Sequence, residues 1–410
     1  MIKSLTDNRP PFSSIGGLIP ENFHHLPTPC YVLDEGKLME NGKILKRVQE
    51  ESGCKILLAQ KAFSNFTLYD ALAPYLAGTE ASGLYEARLG KEEMPDKEVH
   101  VFCGAYKNED FDELLTYADH IVFNSPNQLM RFADKAHAAG KSIGLRVNPE
   151  CSTQEGHAIY DPCAPGSRLG TTRAQLDEAL LTCPDLLSKL DGIHFHTLCE
   201  QNSDDLQTTL IAVDEHFGDI LQRDNIKWLN MGGGHHITRI DYDIDRLIRL
   251  IKKVQEKYHV TVYLEPGEAC ALNAGYLLTR VLDTLKNGDY KLAILDMSPS
   301  CHTPDVIEMP YKPPLFSAID PDDNDIPEDM TIIRLGGPSC LSGDVVGDYA
   351  FPAPLKEGDL LVFGDMAIYS TCKNNTFNGM PLPAILKRDE KGDISLIKRF
   401  GYEDFKMRLG

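Results

Sequence analysis

The sequence predicts an α/β chain in which a TIM-like (β/α)8 barrel is followed by a smaller all-β domain. Three observations predict it. Eight short apolar runs alternate with amphipathic segments from about residue 55 to residue 265. The 410-residue length exceeds what one small core accommodates and suits two domains. Beyond about residue 285 the texture changes to clustered prolines and short β-like runs. An open doubly wound sheet is the fold alternative, but eight successive strand–helix units favour a closed barrel.

Taken in order, residues 1–34 read as a Pro/Gly-rich N-terminal arm with a lead-in strand, Pro29-Cys30-Tyr31-Val32-Leu33-Asp34, which either enters the barrel or joins the later β domain. The barrel is expected over 35–284. Its strands are 55–60 (KILLAQ), 77–81, 99–104 (VHVFCG), 120–124 (HIVFN), 143–148 (IGLRVN), 190–196 (LDGIHFH), 227–231 (KWLNM) and 261–265 (TVYLE). Helices are expected over 36–51, 204–222 and 242–257. Another should start at Ser125-Pro126-Asn127-Gln128, with Ser125 as N-cap, Pro126 at the first helical position and Gln128 completing a capping box. The β domain is expected over 285–410. Prolines 299, 304, 310, 313, 314, 321 and 327 mark it, with strands at 331–335, 359–363 and 394–398.

The apolar fraction of 42% and charged fraction of 25% are those of an ordinary globular protein. A formal net charge of −20 argues against a nucleic-acid partner, which requires a basic face. Eleven scattered cysteines, odd in number and without a CxxC pair, read mostly as small buried hydrophobes in a reducing compartment. The first residues lack the apolar stretch of a secretory signal, and no run reaches membrane-spanning length, so a cytoplasmic protein is expected.

Active sites of such barrels lie at the C-terminal ends of the strands. Lys61 follows the first strand, where partial desolvation lowers an amine's pKa and frees it to attack a carbonyl. His194 and His196 end the sixth strand on one face, able to stack on a flat cofactor, to ligate a metal or to sit in the interior. Gly232, Gly233 and Gly234 follow the seventh, where consecutive backbone N–H groups converge on an anion or simply make a tight turn. Glu265 ends the eighth before Pro266-Gly267, placed to keep a pyridine nitrogen protonated. An amine, a stackable ring, an anion loop and a carboxylate are the four contacts that a phosphorylated pyridine aldehyde needs.

These segments resemble the fold-type III pyridoxal-phosphate enzymes, which include alanine racemase and the diaminopimelate and ornithine decarboxylases. The likeness runs from about Pro27 onward and is nearest to the branch that decarboxylates carboxynorspermidine and carboxyspermidine. It implies pyridoxal 5′-phosphate as cofactor and no metal. It implies that Lys61, in LLAQKAF, is the Schiff-base lysine, and that His196, rather than His194, stacks on the cofactor ring. By the same likeness Gly232, Gly233, Gly234 and Tyr369 hold the phosphate, Glu265 faces the pyridinium, and Glu80 and Arg146 lie near the cofactor. Cys340, in Gly337-Pro338-Ser339-Cys340, would reach the partner's site in a homodimer. Departures bear on substrate. Glu268 stands where ornithine and diaminopimelate decarboxylases have Arg, Leu341 where they have an acid, and Cys199 where Ser is common. Glu268 and Asp305 are therefore the expected contacts to the ammonium groups of a small polyamine amino acid, with no nucleic acid or membrane involved. Three alternatives remain: a decarboxylase of another basic amino acid, diaminopimelate or ornithine; a metal-dependent barrel hydrolase with His194, His196, His235 and His236 as ligands; and a cofactor-binding protein without turnover.

Overall fold

The computed structural model describes residues 19–154, 161–322 and 326–410. The first 18 residues of the expected N-terminal arm lie outside these. The chain divides into two compact units, one formed by Met39–Cys270 and the other by the chain up to Leu38 together with that from Ala271. The strand β1 (Cys30–Asp34) belongs to the second.

The first unit is the barrel. Strands β2 (Lys55–Ala59), β3 (Gly78–Ala81), β4 (Glu98–Phe102), β5 (His120–Phe123), β6 (Ser142–Arg146), β7 (Gly192–His194), β8 (Trp228–Asn230) and β9 (Thr261–Leu264) pair in that order. Every pairing is parallel, and β9 returns to β2 to close the cylinder. All eight expected strands are present.

Large side chains fill the interior, as a closed parallel barrel requires. Leu57, Val122, Trp228 and Tyr263 pack together there. Trp228 lies against two bare positions on the neighbouring strands. A Cβ on Gly192 would come 2.0 Å from the indole Cδ2, and one on Gly144 2.2 Å from Cη2. The indole N–H donates to Ser142 Oγ at 2.8 Å. Toward the N-terminal strand ends a polar layer takes over. Glu98 pairs with Lys55 and lies 3.1 Å from His100 Nε2, and the His100 and His120 rings stack with centroids 3.9 Å apart.

Helices wrap the outside. Ile244–Tyr258 buries Leu247, Ile248, Ile251 and Val254, a spacing that makes one apolar stripe, and Asp243 caps it by accepting from Arg246 N. In Pro126–Ala138 the Ser125 cap forms as expected, accepting from Gln128 N. The expected capping box does not: Gln128 Nε2 donates instead to Gly104 O at 2.8 Å, a carbonyl on the preceding loop. A capping box does form at Thr172 and Gln175.

The second unit is a mostly antiparallel sheet. Its further strands are β10 (Gly275–Asn287), β11 (Tyr290–Leu295), β12 (Thr331–Gly336), β13 (Val345–Phe351), β14 (Leu360–Gly364), β15 (Ala384–Arg388) and β16 (Ile394–Lys398). They run in the order β13-β12-β11-β10-β1-β15-β16, with β14 also on β10. Both faces are packed: Tyr31 and Leu277 enter one core, Cys30, Val32, Tyr276 and Leu278 the other.

The division at Cys270 and Ala271 corrects the expected one at 284 and 285. Because β10 pairs with β1 and β14, the chain has left the barrel before Gly275. At the other end, β1 and the first residues of the following helix, up to Leu38, go with the sheet. The proline-rich stretch is also not wholly β, since it holds the short helices Pro299–His302 and Asp305–Glu308. All eleven cysteines are free, but only Cys30, Cys54, Cys270 and Cys301 are buried. The expectation of mostly buried thiols fails because Cys103, Cys151, Cys163, Cys183 and Cys199, on loops and an element end, are partly exposed, and Cys340 and Cys372 are exposed. Among the described residues no helix is long and apolar enough to cross a membrane.

Candidate active site

The barrel gathers one group of expected residues at the C-terminal strand ends. Lys61 lies two residues beyond β2, Glu80 within β3, Arg146 at the end of β6 and His194 at the end of β7. Gly232, Gly233 and Gly234 begin two residues beyond β8, and Glu265 follows β9 directly. Closure makes β9 the neighbour of β2, so Glu265 and Lys61 leave adjacent strands.

Glu265 is nearly sealed from solvent, yet both its oxygens are held. His194 Nε2 lies 3.0 Å from Oε2, and Asn230 Nδ2 donates to Oε1 at 2.5 Å. Burial lowers the pKa of His194 despite that carboxylate, so the neutral ring donates from Nε2. Burial alone would raise the Glu265 carboxyl. The electrostatic pull and hydrogen bond of His194, the electrostatic pull of His100 and the hydrogen bond from Asn230 outweigh it and bring the carboxyl down to about 2. Glu80 goes the other way: burial, and then the Glu265 charge, raise it well above the ordinary carboxylate range, against the pull of Lys61 and Arg146. The two buried carboxyls are thus driven in opposite directions, Glu80 upward and Glu265 downward. Glu80 Oε2 and His194 Nδ1 have no hydrogen-bond partner among the described residues.

His196 is held differently. Gly233 N donates to its Nδ1 at 3.2 Å, which leaves Nε2 to carry the proton of the neutral ring, and part of the side chain stays accessible. Burial, with the charges of Lys61 and Arg146, holds its pKa well below the usual value. Arg146 donates from Nη2 to His196 O at 3.3 Å and lies 4.5 Å over the Phe102 ring, which itself stacks on His194. The loop that carries Lys61 is fixed by Gln60, whose Nε2 donates to Glu86 O at 2.8 Å and whose Oε1 accepts from Tyr69.

The glycine loop lies tightly on the strand ends. A Cβ on Gly232, Gly233 or Gly234 would come 2.5 Å from Phe195 O, 2.6 Å from Glu265 O or 2.0 Å from Leu198 O. Gly232 and Gly234 also have φ of 68° and 79°, the left-handed region. Packing thus demands these glycines. Of the N–H groups expected to converge on an anion, that of Gly232 goes to Asn230 Oδ1 at 2.9 Å and that of Gly233 to His196. Glu268, partly buried, opens the Glu268–Ala271 helix just beyond Glu265.

Cys340, Tyr369 and Asp305 belong to the second unit. Cys340 is exposed, and its N–H donates to Asn378 Oδ1 at 2.8 Å. The loop before it is pinned by the buried Asp344, whose carboxylate accepts from Ser298 Oγ, Ser300 N and Ser339 N. Tyr369 has a left-handed backbone, φ 56°, which costs a non-glycine residue energy. Lys373 lies 5.2 Å over the Tyr369 ring and pairs with Asp305 at 2.5 Å and Glu308 at 2.9 Å. The Asp305 carboxylate, expected to hold a substrate ammonium, thus already carries one from its own chain.

The metal-ligand set His194, His196, His235 and His236 does not assemble. Glu265 holds His194, and His235 Nε2 faces Met231 O at 3.2 Å. Among the described residues, the group with metal-ligand spacing is Glu98, His100 and His120, at the other end of the barrel and joined to Lys55. Sequence reasoning missed Asn230. Its signal was a primary amide ending an apolar strand just before the glycines.

Residues 30–367 match the family of pyridoxal-dependent decarboxylases, C-terminal sheet domain. The chain is 40% identical over 392 residues to a carboxynorspermidine/carboxyspermidine decarboxylase of Campylobacter jejuni, covering 94% of this chain and 99% of that one. It is 41% identical over 386 residues to a carboxyaminopropylagmatine decarboxylase of Synechocystis, covering 94% and 96%. Among solved structures it is similar to carboxynorspermidine decarboxylase from Campylobacter jejuni complexed with norspermidine. That likeness has a TM-score of 0.83 and 39% identity, and covers 93% of this chain and 100% of the other.

Proposed function

The chain belongs to the pyridoxal-dependent decarboxylases, and on that premise we propose that it removes the α-carboxylate of carboxynorspermidine or carboxyspermidine, giving norspermidine or spermidine in polyamine biosynthesis. The observation that carries the chemistry is the ionised, doubly held Glu265 on the strand next to the one that delivers Lys61. The likeness to the Campylobacter decarboxylase along nearly the whole chain supports the substrate class.

The donor set fits the cofactor. Each Glu265 oxygen accepts one hydrogen bond and keeps a lone pair for a ring N–H, Lys61 is a partly exposed amine, and the His196 ring is partly accessible. Pyridoxal phosphate, when bound, supplies an aldehyde for covalent attachment and a protonated ring that draws off the electron pair left as CO2 departs. Lys61 is the attaching amine. Glu265 would hold the proton at the ring nitrogen, and His196 would offer its ring for stacking. Gly232, Gly233, Gly234 and Tyr369 take the phosphate, which requires Gly232 or Gly233 N–H to release its present acceptor or Gly234 to serve. Arg146 and Glu80 set the charge around the amine. Glu268 and Asp305 select substrate ammonium groups, Lys373 yielding or sharing Asp305. Lys61, or Cys340 from a second copy, returns a proton to the α-carbon.

The same reading makes the protein a cytoplasmic homodimer. Exposed Cys340 and the exposed apolar side chains Leu285, Tyr290 and Ile332, which share the face of β10–β12 left uncovered beyond the two cores, support the dimer.

Turnover of purified protein with carboxynorspermidine, carboxyspermidine, carboxyaminopropylagmatine, diaminopimelate, ornithine and lysine tests the reading. The first two should give the highest kcat/KM. Preference for the third is the second reading, which the 41% identity to the Synechocystis enzyme favours. Preference for diaminopimelate, ornithine or lysine would overturn the assignment. Borohydride reduction and peptide mapping should place the cofactor on Lys61, and a label elsewhere would overturn its role.

A further inference from the structure

We infer that Asn230 is a positioning residue that locks the Glu265 carboxylate to the glycine loop, so that both ends of the cofactor site are set by one buried amide. The inference rests on the proposed role of Glu265 toward the ring nitrogen.

Asn230 ends β8, is completely buried, and pairs in register with His194 on one side and Tyr263 on the other. Its two polar atoms point to different partners. Nδ2 donates to Glu265 Oε1 at 2.5 Å, and Oδ1 accepts from Gly232 N at 2.9 Å. Glu265 N in turn donates to Gly232 O at 2.8 Å. Three hydrogen bonds therefore close a ring through Asn230, Glu265 and Gly232. A shift of the loop pulls on the carboxylate, and a shift of the carboxylate pulls on the loop.

The chemistry at residue 230 is narrow. One side must donate, because an ionised carboxylate only accepts; the other must accept, because the Gly232 N–H only donates. A serine or threonine hydroxyl could do both only through a single oxygen; among short side chains a primary amide puts the donor and the acceptor on separate atoms that reach the two partners at once. Aspartate keeps the Gly232 contact but sets a like charge against Glu265. Leucine keeps the branched skeleton, with somewhat greater bulk, and neither contact. Glutamine carries an extra methylene into a site with no exposed surface. Glu265 is also influenced by Glu80 on β3, His100 on β4, Arg146 on β6, His194 on β7 and His235 after β8, all unchanged in these variants.

The test compares holoenzyme of wild type, Asn230→Asp and Asn230→Leu, reading kcat against pH and cofactor retention after dialysis. Asn230→Asp should retain cofactor within about threefold of wild type, while the acid limb of its kcat profile moves at least one pH unit upward, about a tenfold loss below that limb. Asn230→Leu should lose about tenfold in retention as well as in kcat, because the glycine loop loses its acceptor. Equal behaviour of the two variants, or no displacement of the acid limb in Asn230→Asp, overturns the inference. If Asn230→Asp does not fold, the double variant Asn230→Asp/Glu265→Gln should, since the hydrogen bond is then restored with its direction reversed; failure of that variant also overturns it. Wild-type protein that takes up no pyridoxal phosphate would instead refute the role of Glu265 itself, whatever the variants do.

Discussion

His194 Nε2 and Glu265 Oε2 lie 3.0 Å apart, with side chains only 1% and 5% exposed. Of the two histidines in Gly-Ile-His-Phe-His, the first is therefore engaged by the carboxylate and the second, His196, by the glycine loop. Replacing His194 by Leu should leave a buried carboxylate with one donor fewer and raise its proton affinity. We expect kcat to fall about 10- to 100-fold, the usual effect of losing a side chain that orients a functional group. The acid limb of kcat should move upward as well, while His194→Gln, which can still donate, should recover most of the loss. Unchanged kcat in the Leu variant would show that Glu265 does not depend on this contact.

Glu268 opens the short helix just beyond Glu265, and the family likeness implies Arg there in enzymes acting on ornithine or diaminopimelate. On the proposed reading, Glu268→Arg reverses a charge that faces the substrate. For substrates with an additional ammonium, kcat/KM should fall by roughly tenfold or more, about 1.4 kcal/mol. Lysine, ornithine and diaminopimelate should lose less. Equal losses on every substrate in the panel would remove the selective role.

The sequence revealed the barrel because its strands obey a repeating strand–helix alternation, and it revealed the placement of Lys61 and Glu265 because each follows a strand end. It concealed much of the sheet unit. The first half of β10 is buried on both faces, so Gly275-Tyr276-Leu277-Leu278 shows no alternation to distinguish it from a barrel element. Asn230 was concealed for a different reason: whether a buried amide has partners depends on the strand next to it, and β9 lies thirty residues further along the chain. The engagement of Asp305 by Lys373 was invisible in the same way, the two being 68 positions apart.

Trp228 fills the barrel interior only because its neighbours on β6 and β7 are glycines. Gly192→Ala would set a methyl group 2.0 Å from the indole Cδ2 and within 2.3 Å of two further ring atoms. Overpacking of this kind costs about 1–3 kcal/mol, occasionally more. The melting temperature should drop by several degrees, and Trp228→Phe in the same background should recover part of it. An undiminished melting temperature in Gly192→Ala would mean that the indole has room to move.

His302 is held in its neutral form by geometry: Ser298 N donates to Nδ1 at 3.1 Å, and Nε2 faces Pro381 O at 3.1 Å. Burial lowers its pKa to about 4, with His235 also near 4 and His120 near 3. In the unfolded chain all three titrate near 6.5. Between pH 6.5 and about 4 the unfolded state therefore binds more protons, so stability falls as the pH falls. This contribution is complete above 6.5 and shrinks by up to about 1.4 kcal/mol per unit for each histidine below it. Approach to the isoelectric point near 5.0 acts oppositely by reducing charge repulsion. The comparison that isolates the histidine is wild type against His302→Gln, which share that background. The wild type should be the more stable at pH 7.5, and the gap between their melting temperatures should narrow by pH 5.0. A gap that stays constant or widens on acidification would show that His302 takes up a proton in the folded protein without cost.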